Sequence, residues 1–158
     1  MQTAPRGLPG TIPPRQVRVL LVPADPAGQV QLMVVADSAR AISDALGGCL
    51  LDDTTVGALP QGGWFTVYLA DGVYLAEGDV ATLPGNPRAA ALVARLGLVG
   101  RQFQARIRGP VLIAGLDPDT GADVDVPVEV VAAAEQTGLT VTPAARRPGG
   151  PPPTPGMQ

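Results

Sequence analysis

Over most of the chain, apolar residues alternate with polar ones or run in short blocks, and three stretches show helical spacing instead. Gln16–Val22 (QVRVLLV) is β-branched and apolar and stops at Pro23. Gln29–Val35 (QVQLMVV) alternates at first and then becomes continuously apolar, the pattern of a strand covered on both faces. Between them Ala24–Gly28, with Asp25-Pro26, favours a turn, so the two strands read as a hairpin with a longer loop. Trp64–Ala70 sets Phe65, Val67 and Leu69 against Trp64, Thr66, Tyr68 and Ala70. The first set is wholly apolar and is expected to face the core. Asp71-Gly72 is a dipeptide preferred in type I′ turns, whose central residues both take positive φ. It predicts a tight hairpin returning over Val73–Ala76 and closing at Glu77-Gly78-Asp79. Cys49–Leu51, Thr54–Leu59, Gln102–Ile107 and Pro110–Ala114 read as further strands, with Pro110 at a strand start or an edge. Gly115–Asp125 reads as a polar loop.

The helical stretches carry their own punctuation. Asp37 or Ser38 caps SARAISDAL, whose Ala39, Ile42, Ala45 and Leu46 share a face, and Gly47-Gly48 stops it. Asn86 is an N-cap and Pro87 suits the first helical position, where its missing N–H is not needed. Ala89, Leu92, Val93 and Leu96 then follow at i, i+3, i+4 and i+7, up to Gly97. The last helix, Val128–Thr137, begins near Pro127 with Val128, Val131 and Ala132 expected inward, and Leu139–Val141 is expected to pack back. Together these predict an α+β fold: a mostly antiparallel sheet packed by two or three short helices. The folded part spans 16–141. Residues 1–15 and 142–158 are dense in proline, lack apolar periodicity and read as disordered tails.

Composition narrows the chemistry. The chain of 158 residues has no His and one Cys. A missing imidazole removes the commonest general base and metal ligand and every Ser-His or Cys-His dyad. Cys49 follows a helix C-terminus and precedes Asp52-Asp53, both unfavourable to a thiolate, so it reads as a small core hydrophobe. No apolar run has the length of a signal core or a membrane span, and a cytoplasmic protein without membrane contact is expected. The formal net charge of −3 argues weakly against general nucleic-acid binding, though a local Arg face is compatible with it.

Against that background few motifs carry chemistry. Asp117, Asp119, Asp123 and Asp125 alternate around Gly121 as a calcium loop would, but the glycine is fifth and no Glu stands twelfth, so a solvated turn is expected and no metal. Glu77 and Asp79 are a carboxylate pair with no base beside them. Gly47-Gly48 and Gly62-Gly63 lack phosphate-loop spacing and the Lys. No cofactor is expected. The stretch 80–116 carries Arg88, Arg95, Arg101, Arg106 and Arg108 and no acid. Arg88 and Arg95 lie two turns apart on one helix face, and Arg106 and Arg108 share a strand face. Such a block meets phosphates or an acidic partner, or pairs with the protein's own acids. Trp64 and Tyr68, on the polar side of their strand, stack on a base or cover a core edge.

The order of strand hairpin, short helix, aromatic strand and N-P-x-A helix resembles a small domain family of unknown function found in bacteriophages, mobile elements and actinobacteria-like bacteria. Ala45-Leu46-Gly47-Gly48, Tyr68–Leu75, Leu83–Ala89 and Gly109–Gly115 carry the likeness, which covers about 16–137. It implies an accessory protein and assigns no catalytic residue. The sequence reading is therefore a non-catalytic interaction module. It would bind a protein or nucleic acid through Trp64, Tyr68, Arg88, Arg95, Arg106 and Arg108. The alternative is a small enzyme or ligand-binding domain using Glu77, Asp79 and the arginines. Oligomeric state is not legible in the sequence.

Overall fold

The computed structural model describes residues 15–51, 55–74, 80–98 and 107–143. Among them lie the strands β1 (Gln16–Val22), β2 (Val30–Ala36), β3 (Cys49–Leu51), β4 (Thr55–Ala58), β5 (Trp64–Tyr74), β6 (Val80–Ala81), β7 (Val111–Leu116), β8 (Asp123–Val124) and β9 (Val141–Pro143). The helices are α1 (Ala39–Ala45), α2 (Pro87–Arg95) and α3 (Val128–Gln136). One sheet runs β3-β5-β7-β1-β2-β9. Its pairings are antiparallel except β2 with β9. β4 follows β3 along the same edge of β5, β6 pairs with the far end of β5, and β8 pairs with the end of β7. This is the α+β class expected, with a mostly antiparallel sheet. No helix among the described residues is long and apolar enough to cross a membrane.

Strand alternation divides the core between the two sheet faces. Phe65, Val67 and Leu69 of β5 pack with Leu20, Val22, Val111 and Ile113 beneath α2 and α3. On the opposite face Val17, Val19, Leu112, Ala114 and Ala70 pack beneath Ile42 of α1 and Leu46, its C-cap. The predicted inward residues of α2, Ala89, Leu92, Val93 and Leu96, are all buried, and Leu139 and Val141 pack against the same cluster. Both α1 and α2 are capped as expected. Ser38 Oγ accepts from Ala41 N–H, Asn86 Oδ1 accepts from Ala89 N–H, and Gly47 and Gly97 follow in the left-handed conformation. Gly57 of β4 is required for a different reason: a Cβ there would overlap the ring of Phe65.

Three expectations are corrected. Asp71-Gly72 is not a hairpin turn, because β5 runs through it and neither residue takes positive φ. Gly72 pairs with Leu50 and Ala70 with Leu51, so Asp71 is the extra residue of a β-bulge. A glycine inside a strand marks a bulge as readily as a turn, and pairing with β3 decided between them. The ribbon instead returns at Val80–Ala81. Second, the stretch 115–125 is not all loop: Gly115 and Leu116 complete β7, and Asp123–Val124 form β8. Third, α3 buries Val130, Ala133 and Ala134, while Val128 is 77% exposed and Ala132 is exposed. Apolar residues occupy both stripes of VEVVAAA, so periodicity alone did not separate them. The expected strand residues 102–106 and the pair Glu77 and Asp79 lie outside the described residues.

Candidate functional site

The two aromatic residues singled out in the sequence share one face of β5, the face opposite α2 and α3. Trp64 is 40% exposed. Val56, across from Thr66 on β4, is 46% exposed, and Ala58, across from Trp64, is exposed too. Pleating places all three on the same side. They form an apolar corner where β4 and the start of β5 meet.

Tyr68 is half-buried, and its hydroxyl reaches Asp123, at 2.8 Å from Oδ1 and 2.7 Å from Oδ2. Register explains the reach. Tyr68 lies opposite Leu112, Asp123 lies opposite Leu116, and the small, fully buried Ala114 stands between them on β7. Asp123 is 7% exposed. Burial raises its carboxyl above the usual range, Tyr68 lowers it and Asp37 beside it raises it further. Burial and Asp123 together push the Tyr68 hydroxyl well above its ordinary value. Arg15 completes the cluster. Its guanidinium donates to the Asp123 carbonyl and lies 3.4 Å from Asp37 Oδ2. Four segments thus meet there: the approach to β1, the end of β2, β5 and β8. Both Asp123 oxygens face the protein's own hydroxyl, so this is a closed polar lock and not an open acid–base site. Nothing in the D-x-D pattern distinguished Asp123 from its neighbours; its signal lies in the register of β8.

The other described carboxylates of that stretch bond apart from Asp123. Asp117 accepts from Asp119 N–H, and Asp125 accepts from Arg18 N–H at 2.8 Å. The carboxylates therefore do not converge. Cys49 is buried and donates to the Leu46 carbonyl, and burial raises its thiol above the ordinary value.

The described arginines of the 80–116 stretch do not assemble with the aromatics. Arg88 lies on α2, across the sheet from Trp64 and Tyr68. Its guanidinium donates to the carbonyls of Gly28, Pro23 and Asp25 at 2.8–2.9 Å, closing the β1–β2 loop, while its Nε is buried without a partner. Arg95 donates to Gln136 Oε1 and ties α2 to α3. Arg108 donates to the Leu83 carbonyl. Arg106 lies outside the described residues. These three described arginines bond to neutral oxygens, not to acids. Beside Arg95 a shallow groove of about 660 Å³ is lined by Leu59, Leu96, Glu129, Ala133 and Gln136. No family model, curated protein or solved structure matches this chain.

Proposed function

We propose that this domain is a non-catalytic protein-interaction module of the cytoplasm, working through the β4–β5 corner. One observation carries the reading: Trp64, the chain's single tryptophan, stands 40% exposed next to an exposed Val56. A large aromatic half in water beside an aliphatic is the usual anchor of a protein interface. The polar groups point the same way. Asp123, Tyr68, Arg88 and Cys49 all bond inward, and none of the four is set up as an activated nucleophile or base. A protein partner is favoured over nucleic acid, because Arg88 and Arg95 bond away from the aromatics and Asp37 and Asp123 flank Tyr68.

The test is capture on the immobilised full chain from extract of its own cells, compared with Trp64→Ala and Arg95→Ala. A protein held by the wild type and by Arg95→Ala, and weakened about thirtyfold by Trp64→Ala, supports the reading, since a central tryptophan contributes about 2 kcal/mol or more. Retention unaffected by Trp64→Ala, or a salt-sensitive gel shift with nucleic acid abolished by Arg95→Ala, overturns it.

A further inference from the structure

Two carboxyl groups meet inside the polar lock. Asp37, just past the end of β2, stands within hydrogen-bonding reach of Asp123 on β8. Few donors serve the pair. Tyr68 gives Asp123 one hydroxyl hydrogen, placed between its two oxygens at 2.8 and 2.7 Å. Arg15 lies 3.4 Å from Asp37 Oδ2 and donates to the Asp123 main-chain carbonyl. No other protein donor to either carboxyl occurs among the described residues. Water reaches the two unequally: the Asp37 side chain is 26% exposed, whereas Asp123 is 7% exposed.

Two ionised carboxylates so placed repel each other, and the buried one has little water to support its charge. One bound proton removes both difficulties. Held on Asp123, it is donated to Asp37, while Tyr68 donates to the other Asp123 oxygen. Asp37 then keeps the single negative charge of the pair and faces Arg15. Burial and Asp37 both raise the Asp123 carboxyl, and Tyr68 and Arg15 lower it. Asp125, two residues on, is engaged elsewhere, by Arg18 N–H. A hard cation would need more ligands than two carboxylates, and no third carboxylate or thiol joins them among the described residues.

Loss of the proton acts on a weakly held element. β8 is two residues long, and its ladder pairs only Gly115 with Val124 and Leu116 with Asp123. Deprotonation leaves two negative carboxyls facing one arginine and pushes β8 away from the end of β2. The direction follows from the raised Asp123 carboxyl: the hold is complete in acid and is lost as pH rises through the folded-state value.

We infer that Asp37 and Asp123 hold one proton between them, taken from solvent, and that its return to solvent as pH rises releases β8 from the end of β2. The cluster is thus a pH-sensitive latch. It does not depend on the partner-binding reading of Trp64, which here serves only as a probe. Leu116 is paired with Trp64 on one side and with Asp123 on the other, so movement of β8 reaches the indole through one residue.

The experiment is a pH titration of the full chain, followed by carbon-13 NMR of the aspartate carboxyl carbons and by Trp64 emission. In the wild type the Asp123 carboxyl is expected to titrate above the ordinary aspartate range, with emission changing in the same step. Asp37→Asn removes the facing charge and offers Asp123 an amide hydrogen. It is expected to weaken proton binding at Asp123 about tenfold or more and to carry the emission step to lower pH. Arg15→Gln removes the cation and is expected to move both to higher pH. The Arg15 side chain is 52% exposed, so this variant carries the test should Asp37→Asn not fold. Asp119→Asn, exposed in the same loop, leaves both signals in place. An Asp123 that titrates as an ordinary aspartate overturns the inference, as does a raised titration that neither variant moves. Emission that stays flat through the Asp123 step overturns the release of β8.

Discussion

Asn86 allows a sharp test, because the cap reading and the structure disagree about one substitution. The residue is 2% exposed. Its Oδ1 accepts from Ala89 N–H at 3.1 Å, which is the cap. Its amide also donates to the Val22 carbonyl at 3.0 Å and the Gly109 carbonyl at 2.8 Å. One side chain thus joins the start of α2 to the end of β1 and the approach to β7. Asn86→Ala loses the cap, about 1 kcal/mol, and leaves two buried carbonyls short of a donor, roughly 1–3 kcal/mol each when fully orphaned. Because the site relaxes and each carbonyl has a second lone pair, a total of about 3 kcal/mol is expected, or a melting temperature lower by roughly 10 °C. Aspartate and asparagine are equal as caps, so a residue that only capped would tolerate Asn86→Asp. Here the aspartate turns a carboxylate oxygen toward two carbonyls in a buried site. Its loss at pH 7 should equal or exceed that of alanine, and should shrink in acid, where a protonated carboxyl regains one donor. Urea unfolding at pH 7 and pH 4, with m-values compared, reads this directly. An Asn86→Asp midpoint within error of the wild type at pH 7 would refute the three-way tie.

Three further outcomes follow from the described contacts. Asp123 is raised in the folded state, so its contribution is fully present below the unfolded carboxylate value and is lost as pH rises through the folded one. Asp123→Asn should flatten that decline and be at least as stable as the wild type at pH 7; a steeper fall in its melting temperature with rising pH would be the wrong sign. Arg88→Lys keeps the charge but loses the planar fork that meets three carbonyls. A loss of about 1–3 kcal/mol in urea is expected, and wild-type stability would show that charge alone suffices. Gly57→Ala drives a methyl into the Phe65 ring, at a cost of about 1–3 kcal/mol. Adding Phe65→Leu should make the pair less than additive.

The order of elements was legible because most local signals agreed with one another. α1 and α2 carry apolar spacing, a cap and a stop that point to the same boundaries, and β1 an apolar run ended by Pro23. Legibility failed where two structures share one local code. Asp-Gly serves a hairpin turn and a bulge alike, and Leu50 across the ladder chose the bulge. Val128 and Val130 are both credible inward residues of a helix with apolar residues on two stripes, and contact with the sheet selected Val130. The candidate site was half visible. Trp64 and Tyr68 stood out as aromatics on the polar side of a strand. Asp123 did not, because its role needs β8 to lie beside β7, and a two-residue strand leaves no periodic trace. The bonding of Arg88 was not legible, since its three acceptors are backbone carbonyls 60 or more residues away, which no side-chain pattern encodes.

The margin of the sheet beyond β2 bears on what can join it. There β9 is three residues long and finishes at Pro143, an imino residue with no hydrogen to share. So short a ladder gives an added segment little to hold. That margin is therefore a poor template for a strand from another chain.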